Sequence, residues 1–277
     1  MWSVVWHRFT RSRLAVFALI YVGIITLLAI AAPLVVTHDP YKVDLARRFS
    51  PPNAEYQFGT DDLGRDVLSR MIHGARVSLM IGFSATLISL IVGSFLGAIA
   101  GYYGGAADWI VSRLIEIVLC FPFLFLVLGI VALFRSSLAT IMIALGVTSW
   151  TTEARYVRGE ILRLRELEFA QAARASGARD SRIIFRHLLP NALAPVLVSA
   201  SFGVANAILV ESALSFLGLG VQVPIPSWGG ILSVAEQVID YAWWLVLFPG
   251  LAIFTTVAAF NVIGDRFRDA LDPRSES

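Results

Sequence analysis

A single cysteine, Cys120, and a single lysine, Lys42, occur in 277 residues, and only 15% of the chain is charged. One cysteine excludes an internal disulfide, and Cys120 sits inside an apolar run where packing is its expected role. The lone lysine follows Tyr41 in a proline-flanked loop, so no Gly-x-x-x-x-Gly-Lys-Ser/Thr loop exists to cradle the phosphates of ATP. No nucleophile elbow, Ser/His/Asp set or His-Glu-x-x-His stretch occurs either. A net charge of +2, with no basic stripe interleaved with aromatics, excludes nucleic acid as a partner. The chain is instead rich in apolar residues, at 57%, far from a soluble domain of this length.

Uncharged runs recur at lengths able to cross a bilayer, which takes about 20 residues each. They predict an all-α integral membrane protein with six transmembrane helices, at 14–36, 77–100, 107–134, 137–152, 191–211 and 241–264. Around them lie an N-terminal segment 1–13, a polar loop 37–76, a polar loop 153–190, a segment 212–240 and a tail 265–277. Ala29-Ile30-Ala31 imitates a signal-peptide cleavage site, but the apolar run is longer than a signal core and Pro33 follows, so 14–36 reads as a retained span. Segment 212–240 carries Gly218, Gly220, Pro224, Pro226, Gly229 and Gly230, which argue for a re-entrant or surface segment rather than a seventh span. Gly82, Gly93 and Gly97 predict close helix packing along the second span. Pro122 is expected to kink the third, where Arg113 and Glu116 are spaced to pair. Six spans gather most of the 22 basic residues into 1–13, 153–190 and 265–277, and basic residues mark the cytoplasmic side. Both termini and loop 153–190 are therefore expected in the cytoplasm, and 37–76 and 212–240 outside it.

The stretch 166–190, ELEFAQAARASGARDSRIIFRHLLP, is the longest strongly polar segment between two apolar runs. A helix over 166–176 is expected to stop at Gly177; Asp180 or Ser181 is placed to cap a second short helix, which Pro190 would end. This stretch resembles the cytoplasmic signature of the membrane subunits of binding-protein-dependent ABC importers. That signature is a Glu-Ala-Ala triplet, a glycine four residues beyond its last alanine, and a later Leu-Pro. Gln171-Ala172-Ala173, Gly177 and Leu189-Pro190 fall at those spacings, with Gln171 where the family has Glu. Three further stretches are similar to the dipeptide, oligopeptide and nickel branch of that family. They are FGTDDLGRDVLSRMIHGARVSL from Phe58, ESALSFLGLGVQVPIPSWGGIL from Glu211, and GDRFRDALDPR from Gly264.

The resemblance implies the permease architecture of a type I ABC importer with a cytoplasmic coupling helix, no catalytic or metal site, and no cofactor in this chain. ATP–Mg would be bound by two separate ATP-binding subunits. A second, related permease subunit would complete the pathway as a heterodimer, with this chain as its shorter-loop partner. An extracytoplasmic solute-binding protein would deliver a peptide across the bacterial plasma membrane, whose lipid is the remaining partner. Carried onto this sequence, the ATPase-coupling residues are Glu168, Phe169, Ala170, Gln171, Ala172, Ala173, Gly177, His187 and Pro190, with Phe169 and the alanines as the contact face. Candidates for the external loop or gate are Gly59, Asp61, Gly64, Arg65, Asp66, Glu211 and Trp228. Glu211 is expected at the outer end of the fifth span, shaping a gate or dock, or simply solvated there. Asp61, Asp62, Asp66 and His73 read as solvated turns with local Arg–Asp pairs, since no metal-ligand spacing links them. Nickel or glutathione are alternative solutes in the same branch. A self-contained ion-gradient carrier is the competing class; it should show intramembrane charges and paired broken helices, whereas Glu116 and Glu211 both fall near span ends.

Overall fold

The computed structural model describes residues 2–271, with side chains from residue 6 onward. Residue 1 and residues 272–277, and with them Arg274 and the end of the expected tail, lie outside the described residues. The helices are α1 (Trp2–Arg11), α2 (Arg13–Ile30), α3 (Ala32–Val35), α4 (Val67–Tyr103), α5 (Gly105–Leu119), α6 (Phe123–Phe134), α7 (Leu138–Leu164), α8 (Glu168–Ala175), α9 (Asp180–Arg182), α10 (Leu189–Phe216), α11 (Trp228–Ala235) and α12 (Trp244–Leu271). Among the described residues the only extended pairing is an isolated bridge between Thr60 and Asp66.

Four helical stretches are long and apolar enough to cross a membrane: Arg13–Ile30, Val67–Tyr103, Asp180–Phe216 and Trp244–Leu271. α5 and α6 make a fifth if taken together, because the chain bends by 86° between them, at the position where Pro122 suggested a kink. α7 runs the same way as α4, since Ile88, Gly93, Gly97 and Gly101 meet Gly146, Trp150, Ala154 and Arg158 in turn; it is apolar up to Trp150 and charged from Glu153 onward. Large apolar side chains stand exposed on these helices, with Phe17 68%, Leu133 81% and Phe254 69% accessible. Water does not tolerate so much exposed hydrocarbon, but lipid does.

Several helices outlast the apolar runs that announce them. Asp66 accepts a hydrogen bond from Ser69 N at 2.9 Å, capping α4 well before the run at 77. Ser12 and Ser137 cap α2 and α7 in the same way. The expectation that Asp180 or Ser181 caps a second short helix and Pro190 ends it is corrected. The N-cap is Arg179, without a side-chain bond, and α9 continues through a π turn (Ile183–Leu188) into α10 as one helix. Proline breaks a helix by removing an N–H and crowding the preceding turn. Here the wider π turn takes up that strain, and Asn191 Nδ2 donates to the His187 carbonyl at 2.6 Å.

The bundle is held by a seam of glycines. On α4, Gly93, Gly97 and Gly101 recur every fourth residue and face the backbone of α7. A Cβ added at Gly97 would come 2.5 Å from the Ala154 carbonyl oxygen; at Gly101 it would come 2.8 Å from that of Arg158. α7 returns the arrangement through Gly146, whose Cβ would meet Ile88 Cβ at 2.5 Å. Lipid supplies no hydrophobic drive between helices, so such close approach and its dispersion contacts stand in for it. Gly97→Val should therefore lower the melting temperature of the detergent-purified protein, through a loss of about 1–3 kcal/mol. Gly159→Ala, on the same α7 but with open space around it, should leave it unchanged or raised. Equal melting temperatures for Gly97→Val and the wild type would refute the seam.

Candidate functional site

Loop 37–66 folds over one end of the bundle. Gly59 and Gly64 adopt φ of +73° and +71°, and both are hemmed in: a Cβ at Gly59 would press on the Ser50 carbonyl and Trp244 Nε1, and one at Gly64 would overlap the Asp44 carbonyl. The turn they form carries Asp61, which accepts from Leu63 N at 2.9 Å, Arg65 N at 3.0 Å and Arg65 Nε at 2.7 Å. Arg70 of α4 brings its Nε within 3.2 Å of the same carboxylate, while its Nη1 donates to the Pro40 carbonyl at 3.1 Å. The sequence suggested solvated turns here, but Asp61, Arg65, Asp66 and Arg70 are all buried. The reason is cover from above: Trp244 Nε1 donates to the Thr60 carbonyl at 3.1 Å, and Phe58 stacks on Phe248 with ring centroids 3.9 Å apart.

Glu211 is also corrected. α10 continues past it to Phe216, so the carboxylate is fully buried inside the bundle rather than solvated at a span end. Its Oε1 accepts from Ser215 Oγ at 2.7 Å and Ser227 Oγ at 2.8 Å, while Oε2 has no partner among the described residues. Ser227 in turn caps α11. Trp228, the first residue of α11, is buried and donates through Nε1 to the Met71 carbonyl at 3.1 Å, with its backbone N–H on Ser78 Oγ at 3.2 Å. Glu211, Ser227 and Trp228 therefore latch α11 to α10 and α4.

At the opposite end, α8 stops in a Schellman turn. Ala178 N donates to the Ala173 carbonyl at 3.1 Å and Gly177 N to that of Arg174 at 2.9 Å, with Gly177 at φ +75°. The expected contact face changes. Ala170 is fully buried and Ala173 packs against the same core with Ile183, Ile184 and Leu188, so these two hold α8 to its own chain. Glu168, Phe169, Gln171 and Ala172 remain exposed, as does Pro190, and His187 is half-buried. Gln171 Nε2 donates to the Glu166 carbonyl at 3.0 Å, a bond that a glutamate there could not make. The element is anchored to the end of α4: Arg165 Nη1 donates to the Gly101 carbonyl at 2.9 Å and Tyr102 Oη to Asp180 at 2.7 Å.

Between the two ends, midway along α4, lies a cavity of about 250 Å³ shared by α4, α7 and α10. Its polar side chains include Thr86, Ser89, Glu153, Tyr156, Ser199 and Asn206. Sequence reasoning missed this group. The signal was there: Ser149, Thr152, Glu153 and Tyr156 recur on one helical face where an apolar run gives way to charge. Arg113 and Glu116, by contrast, pair on the exposed face of α5 as spaced.

An apolar helical bundle with a glycine-stopped helix presented at one end and a cavity carrying a few polar side chains within is the build of a membrane transport subunit. The chain belongs to the family described as the inner membrane component of binding-protein-dependent transport systems, which matches residues 93–277; residues 1–52 match the N-terminal transmembrane domain of oligopeptide transport permease C. It is 45% identical to a dipeptide transport system permease protein of Alkalihalophilus pseudofirmus, across all of this chain and 91% of that protein. An oligopeptide transport system permease protein of Bacillus subtilis is 39% identical, over 99% of this chain and 90% of its own length. A glutathione transport system permease protein of Pectobacterium atrosepticum is 39% identical over 100% and 92%. A solved chain of the inward-facing MetNI methionine ABC transporter shares the fold, with a TM-score of 0.56 and 21% identity over 73% of this chain and 96% of that one.

Removing the acid from the Asp61 network should matter far more than removing its half-exposed neighbour. Asp61→Ala leaves Arg70 buried without an anion and should cost about 3–5 kcal/mol. Asp62→Ala, which loses only one partly exposed contact to Arg65, should cost about 0–1 kcal/mol. Melting temperature and protease sensitivity of loop 37–66 read the difference, and equal effects would refute the buried network.

Proposed function

We propose that the chain is the membrane-spanning subunit of a peptide ABC importer, forming half of the translocation pathway and driven by ATP hydrolysis on separate subunits. The observation that carries this reading is similarity over the full chain to dipeptide and oligopeptide permeases. The glutathione permease relative, whose named solute is itself a peptide, favours peptide over nickel. In this reading α7 is the sixth span, supported by its course alongside α4; it carries Glu153 and Tyr156 within the membrane, so the cytoplasmic segment expected over 153–190 begins later, and its basic residues from Arg163 to Arg186 lie in the cytoplasm with both termini. The partners are a second, related permease, two ATP-binding subunits that hold ATP–Mg, and an external binding protein.

The exposed face of α8, from Glu168 through Phe169 to Gln171 and Ala172, docks into the ATPase. The rod that follows Gly177 runs without interruption from Asp180 to Phe216. A shift at α8 is thus carried through the membrane to Glu211 and the α11 latch, where the external side opens or closes. This is a two-state element biased by a ligand on another chain.

A tagged chain purified in mild detergent from its host should bring down a second permease and ATPases, with activity raised by a dipeptide-loaded binding protein. Recovery of the chain alone and without activity would overturn the reading. The hinge has its own test. A side chain at Gly177 meets open space, so its effect is conformational only. Gly177→Val places a β-branched residue in a left-handed conformation, at a cost of about 1–2 kcal/mol. It should uncouple peptide uptake from ATP hydrolysis with insertion intact, whereas Gly177→Asn should keep uptake. Wild-type uptake in the Val variant would refute the hinge.

A further inference from the structure

The cavity midway along α4 holds an acid with no cation among the described residues of the lining beside it. Glu153 is 5% accessible and lines the cavity; its Oε2 accepts a hydrogen bond from Ser199 Oγ, and its Oε1 takes none among the described residues. None of the described residues lining the cavity is Lys, Arg or His. The nearest cations on α7 are directed elsewhere: Arg155 stands exposed on another face, and the Arg158 guanidinium is engaged in a two-point ion pair with Asp108 of α5. A buried carboxylate without a cation is costly in a medium of low polarity, and the cost falls when a positive charge arrives.

The cavity is partly open, and Tyr156 and Asn206 in its lining stand exposed, Asn206 well inside the apolar run 191–211. Polar groups at that depth do not face hydrocarbon; they face protein or a water-lined pathway. The rest of the lining is uncharged, mixing hydrogen-bonding groups such as Thr86, Ser89, Ser199 and Asn206 with apolar ones, Phe202, Ala85 and Ala207. The hydrogen-bonding groups are the ones that matter for a solute. They suit an amide backbone, which offers both N–H and C=O and carries no charge except at its ends.

We propose that Glu153 is the binding point for the α-ammonium group of a peptide passing through the pathway, with the neutral side chains around it meeting the first peptide group. This rests on the peptide-import reading above. The ammonium brings one positive charge and three donors to a carboxylate that has one oxygen already held in place by Ser199. Specificity for a free amino terminus would then lie partly in this chain, not only in the external binding protein.

The test uses the complete transporter in proteoliposomes with its binding protein, and radiolabelled dialanine as the probe. Glu153→Gln keeps the shape and removes the charge; Glu153→Asp keeps the charge. Glu153→Gln should lower dialanine uptake about tenfold or more while assembly and stimulated ATP hydrolysis stay near wild type, and Glu153→Asp should recover much of the uptake. Unchanged uptake in Glu153→Gln overturns the proposal. So does loss of assembly in both variants, which would mark the acid as structural. A wild-type transporter that hydrolyses ATP with another loaded solute but takes up no dialanine overturns the peptide reading and this proposal with it.

Discussion

Close approach of α4 to α7 is the contact on which the rest of the arrangement depends, because α4 reaches each of the candidate sites described above. Its first turn supplies Arg70 to the Asp61 network and the Met71 carbonyl to Trp228. Its last turn supplies the Gly101 carbonyl to Arg165 and the Tyr102 hydroxyl to Asp180. Its middle forms one wall of the cavity. A helix that long can hold both ends in register only if it is itself fixed, and the glycines at 93, 97 and 101 fix it by letting two backbones touch. In a solvent that does not push apolar surfaces together, steric fit carries what burial carries in a soluble core.

Against that fixed mast stands a long helix of different build. α9, the π turn and α10 form one helix, roughly 55 Å long at 1.5 Å per residue. It joins the element presented at one end to the Glu211 latch at the other. Pro190 and Pro195 both lie in or beside it, so its lower third lacks a full ladder of hydrogen bonds. That is where compliance is wanted if motion enters at α8, whereas the upper part, packed by Gly82 against Val204 and Ile208, stays stiff.

Much of this is legible in the sequence where a local rule decides it. Gly177 stops α8 because a left-handed residue is needed and the motif spacing puts a glycine there; the bend beside Pro122 follows from proline's fixed geometry. What could not be read is what depends on partners distant in the chain. The Asp61, Arg65 and Asp66 turn has the composition of a solvated loop, and only Trp244 and Phe248, far along the chain, make it buried. Glu211 followed an apolar run and so read as its end, yet Ser215 and Ser227 let the helix continue with the acid inside. Ala170 looked like part of a smooth docking face; whether a small residue faces a partner or its own core is settled by Ile183 and Leu188, which packing alone brings beneath it.

The two buried acids of the bundle separate structure from function by what surrounds them. Glu211 lies in a closed site, with two serine hydroxyls on one oxygen and close-packed glycines around it: Gly229 against Ser212, Gly220 against Ser215. No ligand could reach it without first withdrawing α11, so what it acts on directly is that segment. Glu153 has one serine and an opening instead. Burial taken alone would rank Glu211 as the stronger functional candidate, since a buried acid without a countercharge is costly wherever it lies. Access reverses that ranking for solute: an acid that a passing molecule can touch acts on the molecule, and one that it cannot touch acts only on the path.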